Sequence, residues 1–310
     1  MGTLDTPPTA LEPASERLQK TMALVLLATL PGALTLLWFY GWGIVINWLL
    51  AGAMALAVEA IVLTLRRQQA MPALSDGSAL VSSTLLALAL PPYSPWWLTL
   101  LASGFAILFG KHVFGGVGKN PFNPAMLGYA MALVSFPQQM SHWPAPHGLN
   151  LLGSVQHIFG VNIGSIAAPD AWAQATALDA LRINKSLTID ELFAGNPSFG
   201  RWGGRGAEWL NLAFLAGGIF LLRQRVYSWH APAGMLGSLF VVSLLCWNGS
   251  GSDSHGSPLF HLLSGASMLG AFFIVTEPVS GPSSPRARLL FGVGVGVMTY
   301  LIRTWGGYPD

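Results

Sequence analysis

The chain has 310 residues, of which 52% are hydrophobic and only 9% are charged. Soluble domains carry about 25% charged residues, so the composition excludes an ordinary soluble globular protein and indicates a membrane protein. The formal net charge of +2 is too small to predict nucleic-acid binding. The single cysteine, Cys246, cannot form an internal disulfide or hold an iron–sulfur cluster by itself.

Apolar runs predict an all-α polytopic membrane protein with about nine to ten transmembrane helices. The polar N-terminus, 1–20, carries no pattern of a cleavable signal peptide. A long polar loop, 137–205, separates the fifth predicted helix from the sixth. In chain order the predicted helices cover residues 21–42, 44–65, 78–90, 96–114, 124–136, 207–222, 231–247, 258–276 and 287–304.

The basic residues predict how these helices are oriented. Cytoplasmic segments of membrane proteins carry an excess of lysine and arginine, and a cytoplasmic N-terminus satisfies this rule. The inner segments then contain Arg17, Lys20, Arg66, Arg67, Lys111, Lys119, Arg223, Arg225, Arg286 and Arg288. The outer segments contain Arg182, Lys185, Arg201, Arg205 and Arg303. The loop 137–205 is therefore predicted on the periplasmic face.

Two short matching segments indicate an internal repeat. Residues 76–80 (DGSAL) open the third predicted helix, and residues 255–259 (HGSPL) open the eighth. A spacing of five helices gives two halves of opposite orientation, as in transporters with inverted repeats. The predicted halves are residues 21–136 and 206–310.

Two irregular segments on the inner side are candidate cofactor or ion sites. Residues 115–124 (GGVGKNPFNP) contain Gly116, Asn120 and Asn123. They predict either a tight turn with Asn123 capping the next helix or a cofactor contact. Glu277 in TEPVSGP, 276–282, is either an interfacial carboxylate or part of an ion path or flavin contact.

The ionisable residues within the predicted spans include Glu59, Lys111, His112 and His261. Glu59 and Lys111 lie near the inner surface, and either snorkelling to the interface or pairing is expected for them. The histidines show no metal-ligand spacing such as His-Glu-x-x-His. We therefore assign neither a metal site nor a catalytic residue.

Thr176 lies in the polar segment 170–176 (DAWAQAT) of the long loop. The residues after it, 177–193, have an amphipathic helical pattern. Thr176 is therefore expected to cap this helix, with Asp179 three residues further on. The spacing alone does not predict a flavin.

Together these segments resemble the RnfD/NqrB family, which contains the RnfD subunits of Rnf electron-transport complexes and the related NqrB subunits of the sodium-translocating NADH:quinone reductase. The resemblance covers nearly the whole chain. It rests on residues 76–92 (DGSALVSSTLLALALPP), 118–125 (GKNPFNPA), 170–176 (DAWAQAT), 276–282 (TEPVSGP) and 306–310 (GGYPD). The family has a further helix after the last of these motifs, so the final helix of the second repeat is expected to be absent from this chain.

The resemblance implies a covalent cofactor. In this family a flavin transferase attaches FMN through its phosphate to a motif threonine, which corresponds to Thr176, and Asp170 corresponds to the recognition aspartate. Ala173 stands where the family usually has serine or threonine, and Gln174 where it has glycine or serine. The resemblance also implies a second, non-covalent riboflavin, for which the helix-end loops around Gly116, Asn120, Asn123 and Glu277 are the candidates.

The implied function is that of a flavoprotein subunit in the bacterial inner membrane. It would relay electrons between NADH and ferredoxin, coupled to Na⁺ or H⁺ transport, in a translocase of EC class 7. Expected partners are soluble subunits with NADH and iron–sulfur sites, other membrane subunits, a second flavin subunit and the flavin transferase. The alternatives are a secondary transporter or ion channel without a redox cofactor, and a scaffold subunit without flavin.

Overall fold

The computed structural model describes residues 14–116, 118–146, 148–161 and 174–308. Every secondary-structure element assigned within these ranges is a helix. The helices before the long loop are α1 (Ala14–Tyr40), α2 (Gly43–Leu65), α3 (Ala70–Leu74), α4 (Ser78–Ala89), α5 (Trp96–Ile107) and α6 (Pro124–Ser135). The loop contains α7 (Pro137–Met140), α8 (Leu151–Phe159), α9 (Ala177–Ile183) and α10 (Ile189–Gly195). After it come α11 (Ala207–Arg223), α12 (His230–Leu245), α13 (Pro258–Leu263), α14 (Ser267–Leu269) and α15 (Pro285–Trp305). The all-α class is therefore confirmed for the described part of the chain.

Three of the described helices are long and apolar enough to cross a membrane. They are Ser15–Tyr40 within α1, Gly43–Leu65 (α2) and Pro285–Trp305 (α15). The other predicted spans are also helical but shorter: α4 and α6 have 12 residues each, or roughly 18 Å at the α-helical rise. A membrane protein is therefore confirmed, while the number of spans and their orientation stay predictions.

Glycines allow α1 and α11 to pack closely against each other. A Cβ atom on Gly217 of α11 would lie 2.1 Å from the carbonyl oxygen of Ala28, and one on Gly32 of α1 would lie 2.3 Å from the ring of Phe214. Phe214 is fully buried in the main apolar core, which also includes residues of α4, α5 and α6. Close backbone approach at small residues is how membrane helices gain van der Waals contact.

Two helices predicted as continuous are irregular. The predicted helix 258–276 consists of α13, a break at 264–266, α14 and the π-helical turn Gly270–Ile274. The break is possible because Gly265 adopts φ +59°, a conformation that glycine reaches without steric conflict. The predicted helix 96–114 is α5 followed by the π-helical turn Leu108–His112, in which the Val113 amide donates to the Leu108 carbonyl oxygen at 2.9 Å.

The prediction of one amphipathic helix over 177–193 is wrong, because two helices occupy this region. Asn184 closes a turn with Leu187 through hydrogen bonds of 2.7 and 3.1 Å, and this turn ends α9. Thr188 then begins α10 as half of a capping box with Glu191. Hydrogen bonds from the Thr188 backbone and hydroxyl stabilise the carboxylate and lower the pKa of Glu191.

A second close contact joins α12 to α15. A Cβ atom on Gly296 of α15 would lie 2.1 Å from the Ser238 hydroxyl oxygen and 2.2 Å from the Met235 carbonyl oxygen of α12. The Ser238 hydroxyl donates to the Val293 carbonyl oxygen at 3.0 Å. The two helices are therefore held together by close packing and by a hydrogen bond.

Gly296→Ala is expected to destabilise the protein by about 1–3 kcal/mol, because the added methyl group has no space between the helices. Gly294 provides a matched control in the same helix, since a Cβ atom there meets nothing within 4 Å. Gly294→Ala should leave stability unchanged or raise it, because alanine favours a helix more than glycine does. Thermal unfolding in detergent measures both variants, and equal melting temperatures would contradict close packing at Gly296.

Candidate functional site

A cavity of about 370 Å³ lies beside Thr176 and is lined by residues of α1, α6, α11, α12 and α15. Much of its wall is apolar and includes Leu36, Phe214, Met235 and Val295. Sites for small molecules are typically apolar cavities of about 300–1,000 Å³ with a few polar groups. The polar side chains in this wall include Thr176, Ser198, Arg205, Asn211, Ser264, Ser267, Thr299 and Arg303.

Thr176 is held at this cavity as the N-cap of α9. Its hydroxyl oxygen accepts a hydrogen bond from the Asp179 amide at 3.1 Å, so the predicted cap is confirmed. The Asp179 carboxylate accepts from the Arg182 guanidinium at 2.6 Å. The buried face of α9, including Leu178 and Leu181, packs in a cluster with Phe260 of α13. Thr176 is thereby fixed relative to the helices that form the cavity.

The segment immediately before Thr176 is also held in place. The backbone amide of Gln174 donates a hydrogen bond to the backbone carbonyl oxygen of Trp143 at 2.9 Å. The Ser198 hydroxyl donates to the Ala175 carbonyl oxygen at 2.8 Å. Gln174 and Ala175 both line the cavity. The recognition aspartate implied by the resemblance, Asp170, and the departure at Ala173 lie outside the described residues.

Arg303 binds the helix break from α15. Its guanidinium donates to the carbonyl oxygens of His261 at 2.6 Å and Ser264 at 3.0 Å, and to the Ser267 hydroxyl at 3.0 Å. Only 5% of Arg303 is exposed. The last carbonyls of a helix have no partner within it, so this arginine supplies donors where α13 ends.

Asn211 binds the same break from α11. Its amide nitrogen donates to the Gly265 carbonyl oxygen at 2.9 Å, and its carbonyl oxygen accepts from the Met268 amide at 2.9 Å. Both bonds replace bonds that a continuous helix would have made. The sequence interpretation missed Asn211 and treated Arg303 only as an outer basic residue. Arg303 could have been recognised from the sequence as a buried, functional or structural residue, because it is a charged residue inside the apolar run of α15.

On the side predicted to be cytoplasmic, Glu59 of α2 and Lys111 form a buried ion pair. The Lys111 ammonium donates to the Glu59 carboxylate and to the Ser78 hydroxyl, the latter at 2.7 Å. Of the two alternatives predicted from the sequence, pairing is therefore confirmed, and the structure identifies the partners. Within the described residues, the second carboxylate oxygen of Glu59 and Nε2 of His112 are buried without a hydrogen-bond partner.

The inner candidates, Gly116, Asn120 and Asn123, are not among the residues that line the cavity beside Thr176. Asn123 caps α6 by accepting from the amides of Ala125 at 3.0 Å and Met126 at 3.4 Å, so the capping alternative is confirmed. The buried Asn120 amide donates to the Phe122 carbonyl oxygen at 2.9 Å. Gly116 has φ +101°, and a Cβ atom there would meet nothing within 4 Å, so it lies in an open turn.

Glu277 forms a local loop contact. Its carboxylate accepts hydrogen bonds from the Ser280 amide, at 2.6 Å, and from the Ser280 hydroxyl. It is half-buried and does not line the cavity beside Thr176. The structure therefore places Glu277 and Thr176 in separate surroundings.

These features define a membrane protein that is helical in its described part and whose long loop presents a threonine at a largely apolar cavity. The chain belongs to the NQR2, RnfD, RnfE family, whose model matches residues 9–310. The resemblance seen in the sequence motifs is therefore confirmed.

Three relatives illustrate the similarity, and each is named as the D subunit of an ion-translocating oxidoreductase complex. The protein from Ectopseudomonas mendocina is 63% identical over 296 residues, which are 96% of this chain and 85% of the relative. That from Pseudomonas aeruginosa strain PAO1 is 62% identical over 297 residues, with the same coverage of 96% and 85%. That from Cellvibrio japonicus is 45% identical over 301 residues, again covering 96% and 85%.

Proposed function

We propose that this chain is the RnfD component of an Rnf-type ion-translocating oxidoreductase complex and carries FMN esterified to Thr176. The names of its relatives support the complex. The position of Thr176 at a cavity of ligand size supports the attachment site. This position is the observation that carries the proposal, because attachment of a flavin needs an alcohol group beside a cavity of ligand size, and Thr176 lines a largely apolar cavity of about 370 Å³.

The residues around the cavity fit a flavin phosphate and ring. Leu36, Phe214 and Met235 offer apolar contacts for the ring. Arg205 brings positive charge to the same cavity and would bind the phosphate group. Attachment would form an ester bond between the Thr176 oxygen and the FMN phosphorus. The transferase would take FMN from a flavin dinucleotide by breaking its pyrophosphate bond, the nucleoside monophosphate would leave, and a base would accept the hydroxyl proton of Thr176.

When bound, a flavin supplies transfer of one or two electrons. The chain itself would position that chemistry. The cap of α9 would hold the attachment point, and the apolar walls would exclude water from the ring. Arg303 and Asn211 would keep the broken helix in the shape that forms one side of the cavity.

The complex would pass electrons between NADH and ferredoxin and use them to move Na⁺ or H⁺. NADH and iron–sulfur sites belong to partner subunits in this proposal, since the chain has one cysteine. The other partners are membrane subunits, a second flavin subunit and the flavin transferase. We place the chain in the bacterial inner membrane with the Thr176 loop in the periplasm, on the distribution of basic residues. A riboflavin at the inner loops is part of the same proposal.

The helix packing supports an inverted repeat. The first helices of the proposed halves, α1 and α11, pack against each other. In the first half α2 packs on α5, and in the second half α12 packs on α15.

Thr176→Val is expected to abolish covalent flavin, because valine has the shape of threonine without the hydroxyl oxygen that the ester requires. The measurement is in-gel flavin fluorescence of the denatured chain, produced together with the flavin transferase. Wild type should fluoresce and the variant should not.

Thr188→Val is the matched control. Thr188 is also an N-cap threonine in the long loop, at α10, so its variant loses the same kind of cap and should keep full fluorescence. Fluorescence in Thr176→Val equal to wild type would refute attachment at Thr176. A wild-type chain without fluorescence would favour the transporter or scaffold alternatives.

A further inference from the structure

We infer that Arg303 sets the reduction potential of the flavin beside Thr176 by holding a permanent positive charge in the cavity wall. The inference rests on the proposed function. It concerns a residue that contacts the helix break and lines the cavity, so we treat Arg303 as a residue that tunes the site and not as a catalytic residue.

The guanidinium of Arg303 has a fixed position. Three hydrogen bonds, to two carbonyl oxygens and a hydroxyl, hold it against the break in the helix. A Cβ atom on Gly265 would lie 2.7 Å from Nη2 of Arg303, so the guanidinium packs directly on the backbone of that glycine. A side chain held in this way keeps its charge at one place in the wall.

The charge is permanent and weakly screened. Arginine stays protonated in proteins, and a buried charge acts through a lower effective dielectric than an exposed one. Arg303 is 5% exposed. The other cavity arginine, Arg205, is exposed, so water and salt weaken its field. Of the two cavity arginines, Arg303 should therefore have the larger electrostatic effect on a bound group.

A fixed positive charge favours the form of a bound group that carries more negative charge. Reduction adds electrons to the flavin, and in the experiment a chemical reductant such as dithionite supplies them. Arg303 should therefore stabilise the reduced form relative to the oxidised form. Removing the charge should make the flavin a stronger reductant.

The test compares Arg303→Gln, which removes the charge, with Arg303→Lys, which retains it. The full chain is purified with its covalent flavin, and the midpoint potential is measured by spectroelectrochemical titration. Arg303→Gln should lower the potential by about 30 mV or more, a tenfold change in the ratio of reduced to oxidised flavin for a two-electron couple. Arg303→Lys should stay nearer to wild type. Arg303→Met is a second neutral variant in case the glutamine variant does not accumulate.

Arg201→Gln is the matched control. Arg201 is exposed and its guanidinium lies 5.1 Å from the centre of the Trp202 ring, so its removal should not change the potential. An unchanged potential in flavinylated Arg303→Gln would overturn this inference alone. Equal shifts in the glutamine and lysine variants would also overturn it, because they would indicate a purely structural role. A wild-type chain without covalent flavin would overturn both this inference and the proposed function.

Discussion

Glu59→Gln is expected to destabilise the protein by about 3–5 kcal/mol, because it leaves the buried ammonium of Lys111 without its carboxylate. The side chain of Glu59 is 0% exposed and that of Lys111 is 5% exposed, so water cannot replace the lost partner. The Ser78 hydroxyl, the other acceptor of Lys111, carries no charge. The measurement is the free energy of unfolding in mixed detergent and denaturant.

A double variant separates the ion pair from other effects. In Glu59→Gln/Lys111→Met neither charge remains, so stability should return towards wild type, since replacing both partners of a buried pair is often tolerated. Glu277→Gln is the matched control for loss of one carboxylate, because Glu277 is half-buried and its carboxylate accepts hydrogen bonds from its own loop. A double variant as unstable as Glu59→Gln would contradict this explanation.

Asn211→Leu is expected to destabilise the broken helix, because it leaves the Gly265 carbonyl oxygen and the Met268 amide without their buried partner. Each buried unsatisfied group costs about 1–3 kcal/mol. Leucine has the same number and branching of side-chain heavy atoms and is not smaller than asparagine, so the loss should not come from an empty space. Hydrogen exchange of the Met268 amide should increase, and the melting temperature in detergent should fall.

Asn248→Leu provides the comparison. Asn248 is an exposed loop residue whose amide donates to the Asp253 carbonyl oxygen at 3.3 Å, and water can replace this bond. Its variant should melt close to wild type. If Asn211→Leu melted at the same temperature as Asn248→Leu, the hydrogen bonds of Asn211 would not be what holds the break.

The positions of most helices could be predicted from the sequence. Predicted helix 207–222 corresponds to Ala207–Arg223, and predicted helix 124–136 corresponds to Pro124–Ser135. The length of the apolar run and the capping residues determine where such helices begin and end, and both are local properties of the chain. For the same reason the capping roles of Asn123 and Thr176 were predictable.

The break at 264–266 and the cavity could not be predicted, because they depend on residues far apart in the sequence. Small residues such as Ser264 and Gly265 fit a membrane helix as well as a break. The break is fixed by Asn211 and Arg303, which lie 54 residues before Gly265 and 39 residues after Ser264. No local pattern contains that information. The turn 184–188 was missed because its side-chain hydrogen bonds compete with a helix that the apolar pattern favours.

The π-helical turn Leu108–His112 has a consequence for the direction of the side chains that follow it. A π-helical turn accommodates one residue more than an α-helical turn, and each residue of an α-helix turns the chain by about 100°. Deleting Leu108, Phe109 or Gly110, which precede Lys111 in this turn, would restore a regular helix and rotate Lys111 by that angle, away from Glu59. The number of residues in the turn therefore determines the direction of the Lys111 side chain as much as their identity does. That direction decides whether the Lys111 ammonium contacts the Glu59 carboxylate.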